Sequence, residues 1–299
     1  MDERLLLYFT TLIDKGSFTK AAKALHISQP SLSSAIKKLE DHMGLSLIER
    51  STRKISLTKE GEILYKEAKK LLNHFTYVKE EMIRLKDQGP LELQIGLIES
   101  VKSWLPKVIA SYSESNPDIH IKLIEVLGLK QVELALQNYK IHLAITNQHF
   151  ENDEILTIPI YKENLVAVLP KGHPLQNSKY ISINDIKDEE FIICQEGFQT
   201  RQDILNAFRK TGINPNIHFE IERFETACSL VEEGLGITIV PENYITDSNH
   251  STFTIKKITN NNNLSRTVYI AFMKNRYLPP VVEKFITITK EFFQNKNEL

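Results

Sequence analysis

Between Ser28 and Glu40 the chain reads Ser-Gln-Pro-Ser-Leu-Ser-Ser-Ala-Ile-Lys-Lys-Leu-Glu. Leu32, Ile36 and Leu39 recur at helical spacing and form an apolar stripe. Gln29, Pro30, Ser31, Ser33, Ser34 and Lys37 project from the rest of the helix. Small hydroxyls, an amide and a lysine on an exposed helix face are the groups that touch phosphates and base edges inside a DNA groove. Ser28 is placed to cap this helix, and Pro30 is tolerated in its first turn. The plain alternative is a small helical bundle whose polar face is merely solvated.

The neighbouring elements favour the groove. Phe18, Ala21, Ala22 and Leu25 form a second short amphipathic helix with Ser17 as its cap, and His26-Ile27-Ser28 joins the two. Two helices across so short a turn make a helix-turn-helix, whose second helix enters the major groove. A helix over about residues 3–14 supplies Leu6, Phe9, Leu12 and Ile13 as the third wall of a core. After Gly44, two strand-like runs, residues 45–50 and 54–58, flank Ser51-Thr52-Arg53 and make a wing carrying Arg50, Arg53 and Lys54. Arginine on a wing reaches the backbone or the minor groove. On this reading Gln29, Pro30 and Ser33 meet base edges, while Ser17, Thr19, Lys37 and Arg53 mainly hold phosphate or minor groove.

Residues 59–87 contain no proline, and Gly61 is their only glycine. Leu64, Ala68, Leu71, Phe75, Val78, Met82 and Leu85 alternate at spacings of four and three, a heptad seam flanked by Lys and Glu. Such a seam predicts a helix that pairs two copies of the chain on one duplex. The alternative is a helix lying on its own domain.

Three helices, a wing and a long helix, in that order, resemble the LysR-type transcriptional regulators. Phe9, Gly16-Ser17-Phe18, Ala21-Ala22, Leu25, Ser28-Gln29-Pro30, Ser33, Ile36, Leu39-Glu40, Gly44, Leu47, Arg50, Leu57-Thr58 and Gly61 carry the resemblance, without gaps over about the first sixty residues. Ser34 departs from it, standing where many members have arginine. The resemblance implies a multidomain α+β protein. Its parts are a winged helix-turn-helix at 1–58, a dimerising linker helix at 59–87 and a periplasmic-binding-protein-like effector domain at 88–299. Lobe I of that domain is expected at about 91–160 and 266–299, and lobe II at about 161–265. It also implies a dimer or tetramer acting on double-stranded promoter DNA, with RNA polymerase as a further partner if the protein is an activator. Effector binding would change lobe closure and the spacing of the DNA-binding units.

The remaining sequence agrees in texture. Strand and helix patterns alternate after Pro90, as in doubly wound α/β units. Gly234-Leu-Gly-Ile-Thr-Ile-Val-Pro241, and Leu165-Val-Ala-Val-Leu-Pro170 followed by His173-Pro174, are similar to family motifs. Ligands in open α/β sheets bind beyond the carboxyl ends of strands. Two such ends face the expected cleft: Glu99-Ser100-Val101-Lys102-Ser103, and Gln195 through Arg201. Hydroxyls, helix N–H groups and a nearby cation there favour a small organic anion, most naturally a carboxylate. The resemblance makes Ser100 and Thr200 the contacts from the two lobes, with Thr146 and Thr226 next. The plain reading is that Ser100, Ser103 and Thr200 are helix caps and Arg201 a surface residue.

Composition sets bounds. The net charge of −1 hides an asymmetry, with 16 Lys+Arg against 12 Asp+Glu in residues 1–90 and 21 against 26 thereafter. The basic end is the one that would release counterions from DNA. The N-terminus is acidic where a signal peptide is basic, and no apolar run is long enough for a membrane span, so a cytoplasmic location is expected. Two cysteines, Cys194 and Cys228, make no disulfide framework. The alternative is a small-molecule-binding protein, or a redox sensor using Cys194, with regulation not driven by a carboxylate ligand; for Cys194 a buried structural thiol is the simpler reading. No HExxH, CxxC, P-loop or GxSxG motif is present, so no catalytic centre, metal or cofactor is expected.

Overall fold

The computed structural model describes residues 2–50, 55–87, 92–151, 153–245, 252–259 and 264–297. The chain divides into two compact units, Met1–Gly89 and Pro90–Leu299.

In the first unit, α1 (Glu3–Lys15), α2 (Phe18–Ala24) and α3 (Gln29–Met43) begin at Asp2, Ser17 and Ser28, whose side chains accept N–H groups of their first turns. Each such cap satisfies a donor that the helix cannot. Leu6, Phe9, Leu12, Ala21, Ala22, Leu32, Ile36, Leu39 and Leu47 are buried together. β1 (Ile48–Arg50) pairs antiparallel with β2 (Ile55–Leu57). Glu40 fastens α3 to this wing by accepting the N–H groups of Leu47 at 2.9 Å and Ile48 at 3.3 Å.

α4 spans Lys59–Asp87. Gly61 lets its first turn approach the wing, since a Cβ there would lie 2.1 Å from the Leu47 carbonyl oxygen. The helix does not present one continuous seam. Ala68 is fully buried in the unit's own core, and Leu64 and Leu72 pack against it. Leu64 and Ala68 therefore do not belong to an outward face, because this end of α4 covers the helix-turn-helix. Asp14 of α1 holds it there, accepting from Lys69 Nζ at 2.8 Å and from the Tyr65 hydroxyl. Leu71, Phe75, Val78 and Met82 are exposed, as is Ile63, which the heptad did not include. The Leu85 side chain lies outside what is described.

The second unit is built on a ten-stranded sheet ordered β4-β3-β5-β12-β6-β10-β8-β9, with β11 pairing with β6 and β7. In chain order its elements are β3 (Glu92–Leu97), α5 (Leu105–Glu114), β4 (His120–Glu125), α6 (Leu129–Gln137), β5 (Leu143–Thr146), β6 (Ile155–Pro170), β7 (Tyr180–Ile181), β8 (Glu190–Cys194), α7 (Gln199–Lys210), β9 (Asn216–Ile221), α8 (Phe224–Glu232), β10 (Ile237–Pro241), α9 (Glu242–Ile245), β11 (Phe253–Ile258), β12 (Ser265–Met273) and α10 (Pro280–Asn297). Parallel strands β4-β3-β5 and their helices make one lobe, and β10-β8-β9 with α7 and α8 make the other. The antiparallel strands β6 and β12 run through both.

Beyond β3 the chain makes a 3-10 turn, Glu99–Ser103, and α5 starts at Leu105 with Pro106 in its first turn, where the missing N–H costs nothing. β6 carries its polar residues on a crossover between lobes.

Candidate nucleic-acid interface and inter-lobe site

The exposed face of α3 carries Gln29, Pro30, Ser31, Ser33, Ser34 and Lys37, while Leu32, Ile36 and Leu39 of the same helix are buried. Two of the face's polar groups are held in place. The Thr19 hydroxyl donates to Gln29 Oε1 at 3.2 Å, linking α2 to α3. The Ser28 and Ser31 hydroxyls lie 2.7 Å apart, and Ser28 also accepts the Ser31 N–H. His26, between the helices, has φ 54°, a left-handed turn residue that reverses the chain over the three-residue link. Ser17 is half-buried at the α2 cap and accepts from the Lys20 N–H. Arg53 lies outside the described residues, as does the Arg50 side chain. What the described face offers is a donor- and acceptor-bearing helix of low charge, with Lys37 and Lys38 toward its middle.

In the second unit the two crossover strands place Glu163 directly opposite Arg266. The Arg266 Nε–H donates to Glu163 Oε1 at 2.6 Å, and the two side chains are 5% and 1% exposed. Ser100, at the end of β3, donates to the same carboxylate oxygen at 3.1 Å and accepts from Arg266 Nη2 at 3.4 Å. Thr200, in the first turn of α7, accepts from Arg266 Nη1 at 2.6 Å. Asn243 donates to Glu163 Oε2 at 3.2 Å. Ser100 and Thr200 thus meet across the lobes through a buried ion pair that sequence reasoning missed. The available signal was two charged residues on strands otherwise rich in buried apolar positions, each of which needs a partner.

The other expected residues separate. Arg201 faces away, donating to the Cys194 carbonyl at 2.8 Å and pairing with Glu220 at 2.8 Å. It closes the end of β8 and β9, so the cation at the site is Arg266. Val101 is buried in the apolar core of its lobe. The Lys102 ammonium sits 3.6 Å over the Tyr244 ring, a cation–π contact between lobes. Ser103 is half-buried, and Thr226 is exposed in the first turn of α8. Thr146 is fully buried and accepts the Gln148 N–H at 3.1 Å. Gln195 donates to Glu222 at 2.8 Å.

Further contacts close the lobes. Both Glu99 carboxylate oxygens lie 3.2 Å from the Phe224 N–H at the start of α8. Burial pushes the Glu99 carboxyl up to about 7, against the lowering effect of that N–H. Arg223 pairs with Glu125, and the Leu129 N–H donates to the Gly197 carbonyl at 3.3 Å. Ile98, Glu99, Asn147, Phe198, Thr200 and Arg266 are among the residues around a remaining space of about 20 Å³. Beside it, sharing Phe198 and Gln199, opens a cavity of about 730 Å³. Gln131, Gln148, Gln195, Gln199 and Gln202 line it, together with Lys130 and Glu196.

Cys194 and Cys228 are free and buried in one apolar cluster of the second lobe. Burial pushes their thiols up to about 12 and about 11, so both stay protonated and poorly nucleophilic at neutral pH. No described helix is long and apolar enough to cross a membrane.

Comparison with known proteins agrees with both units. Residues 4–62 match the model for a bacterial regulatory helix-turn-helix protein of the lysR family, and residues 86–294 match the LysR substrate binding domain. The chain is 34% identical over 288 residues to the uncharacterized HTH-type transcriptional regulator YybE of Bacillus subtilis (strain 168), covering 95% of this chain and 97% of that protein. It is 28% identical over 242 residues to the DNA-binding transcriptional dual regulator OxyR of Escherichia coli (strain K12), covering 81% and 79%. Among solved structures, full-length CbnR complexed with its target DNA aligns with a TM-score of 0.70 at 22% identity, covering 97% of this chain and 99% of that one.

Proposed function

This chain belongs to the lysR family of bacterial regulatory helix-turn-helix proteins, and on that footing we propose that it is a sequence-specific transcriptional regulator governed by a small molecule bound between the lobes of its second unit. Its relatives are transcriptional regulators rather than enzymes. The observation that carries the effector half of the reading is the meeting of Ser100 and Thr200, one from each lobe, on a single buried guanidinium. A ligand that alters this junction has different affinities for two lobe arrangements, which is the condition for shifting an equilibrium between them. The exposed Leu71, Phe75, Val78 and Met82 support a pairing role for the outer part of α4. A peroxide-sensing reading, prompted by the OxyR relatives, needs an accessible thiolate; the buried, protonated Cys194 and Cys228 weigh against it.

A gel shift of the full chain on its own upstream region tests the DNA half. Selective, salt-sensitive binding is expected. Lys37→Ala should weaken all sequences evenly and reduce the salt slope by about 1, whereas Gln29→Ala should relax base preference at one position of each half-site. Absence of selective binding overturns the reading. For the effector half, a compound that raises the wild-type Tm should lose that effect with Ser100→Ala and Thr200→Ala.

A further inference from the structure

Two hydroxyls from opposite lobes and a buried guanidinium are what a carboxylate ligand needs, and here a carboxylate already sits among them. Glu163 takes the Ser100 hydroxyl and the Arg266 Nε–H on one oxygen and the Asn243 amide on the other. Arg266 spends its remaining nitrogens on Thr200 and Ser100. The guanidinium is therefore neutralised from within, in a site with space of only about 20 Å³. Glu99 lines that space with Arg266. Of the nearby cations, Arg223 pairs with Glu125 and Lys102 lies over Tyr244, while Lys130 lines the adjoining cavity together with Glu196. An added carboxylate would meet the Glu163 carboxylate and an arginine already paired with it, in a region where unpaired charge is costly.

The adjoining cavity has a different character. Gln148, Gln195 and Gln199 each use an amide N–H, on Leu127, Glu222 and Asp203 respectively. Gln131 accepts the Leu127 and Gly128 N–H groups through its oxygen. Lys130 and Glu196, of opposite charge, belong to the same lining. A primary amide carries two N–H donors and a carbonyl acceptor, so this lining suits a ligand that both donates and accepts.

We infer that Glu163 is a built-in occupant of the anion seat formed by Arg266, Ser100 and Thr200, so that this seat excludes carboxylate effectors and the cleft takes an uncharged polar molecule, of the amide or polyol kind. This rests on the proposed inter-lobe effector site and specifies its chemistry. It predicts that removing the Glu163 charge creates a carboxylate site where none existed.

The test is thermal unfolding of the full chain, wild type and Glu163→Ala, in sodium acetate against equal sodium chloride, with acetamide as the uncharged counterpart; the alanine removes both the charge and the atoms that fill the seat. Wild type should not respond to acetate. E163A should gain a Tm rise of about 5 °C at acetate concentrations ~100-fold above its Kd. A comparable acetate response in wild type overturns the proposal, as does a folded E163A with no gain. If E163A is unfolded in chloride, acetate-dependent folding supports the proposal and its absence overturns it. Selective DNA binding is scored separately by gel shift, so failure of this inference is distinguishable from failure of the regulatory reading.

Discussion

Replacing Arg266 by methionine isolates the energetic core of the lobe junction. The guanidinium makes three side-chain contacts, at 2.6 Å to Glu163, 2.6 Å to Thr200 and 3.4 Å to Ser100. Without it the Glu163 carboxylate, 1% exposed, keeps only Ser100 and Asn243 as donors. Breaking a buried pair from one side costs about 3–5 kcal/mol, because the remaining charge stays desolvated. For a unit of this size that is a Tm loss of roughly 6–20 °C. Combining it with Glu163→Leu should recover most of the loss, since apolar replacement of both partners is close to neutral. Calorimetry of the four proteins gives the coupling energy directly. A single variant within about 1 kcal/mol of wild type, or a double variant no more stable than Arg266→Met alone, refutes the reasoning.

Three other expectations follow from the structure. Burial holds the Glu99 carboxyl at about 7, above its unfolded value, so this group's contribution to stability is present at acid pH and lost as pH rises through 7; Glu99→Gln should flatten that slope in urea titrations between pH 5 and pH 8. Cys194 and Cys228 should resist an aromatic disulfide reagent in the native protein and react fully in urea, and rapid native labelling would contradict their protonated, buried state. Phe75→Glu on the exposed part of α4 should shift sedimentation toward a smaller species, while Ala68→Glu should instead unfold the first unit, because Ala68 is fully buried in it.

How much of this was legible beforehand differs between the two units. In the first, contacts are local. Caps at Ser17 and Ser28, the Leu32–Ile36–Leu39 stripe and the wing each declare themselves within a few residues, and the proline-free run from Lys59 folds as one helix, α4. What periodicity could not reveal was that α4 changes partners along its length, since Ala68 and Leu71 belong to one repeat whichever surface each meets. In the second unit, Ser100 and Thr200 were accessible as strand-end hydroxyls. Glu163 and Arg266 lie 103 positions apart, and only the register of two antiparallel crossovers joins them. Arg201 was the nearer cation in sequence, but α7 turns it onto the strand ends.

The Glu163–Arg266 pair belongs to the crossovers rather than to either set of parallel strands, and this bears on how the lobes would part. Separating them costs the hydroxyl contacts of Ser100 and Thr200, each worth about 1.5–3 kcal/mol as a hydrogen bond to a charged group. It does not separate acid from base, because both ride on the shared strands. The hinge carries its own counter-ion, so the lobes could swing apart without exposing an orphaned charge to the apolar interior on either side.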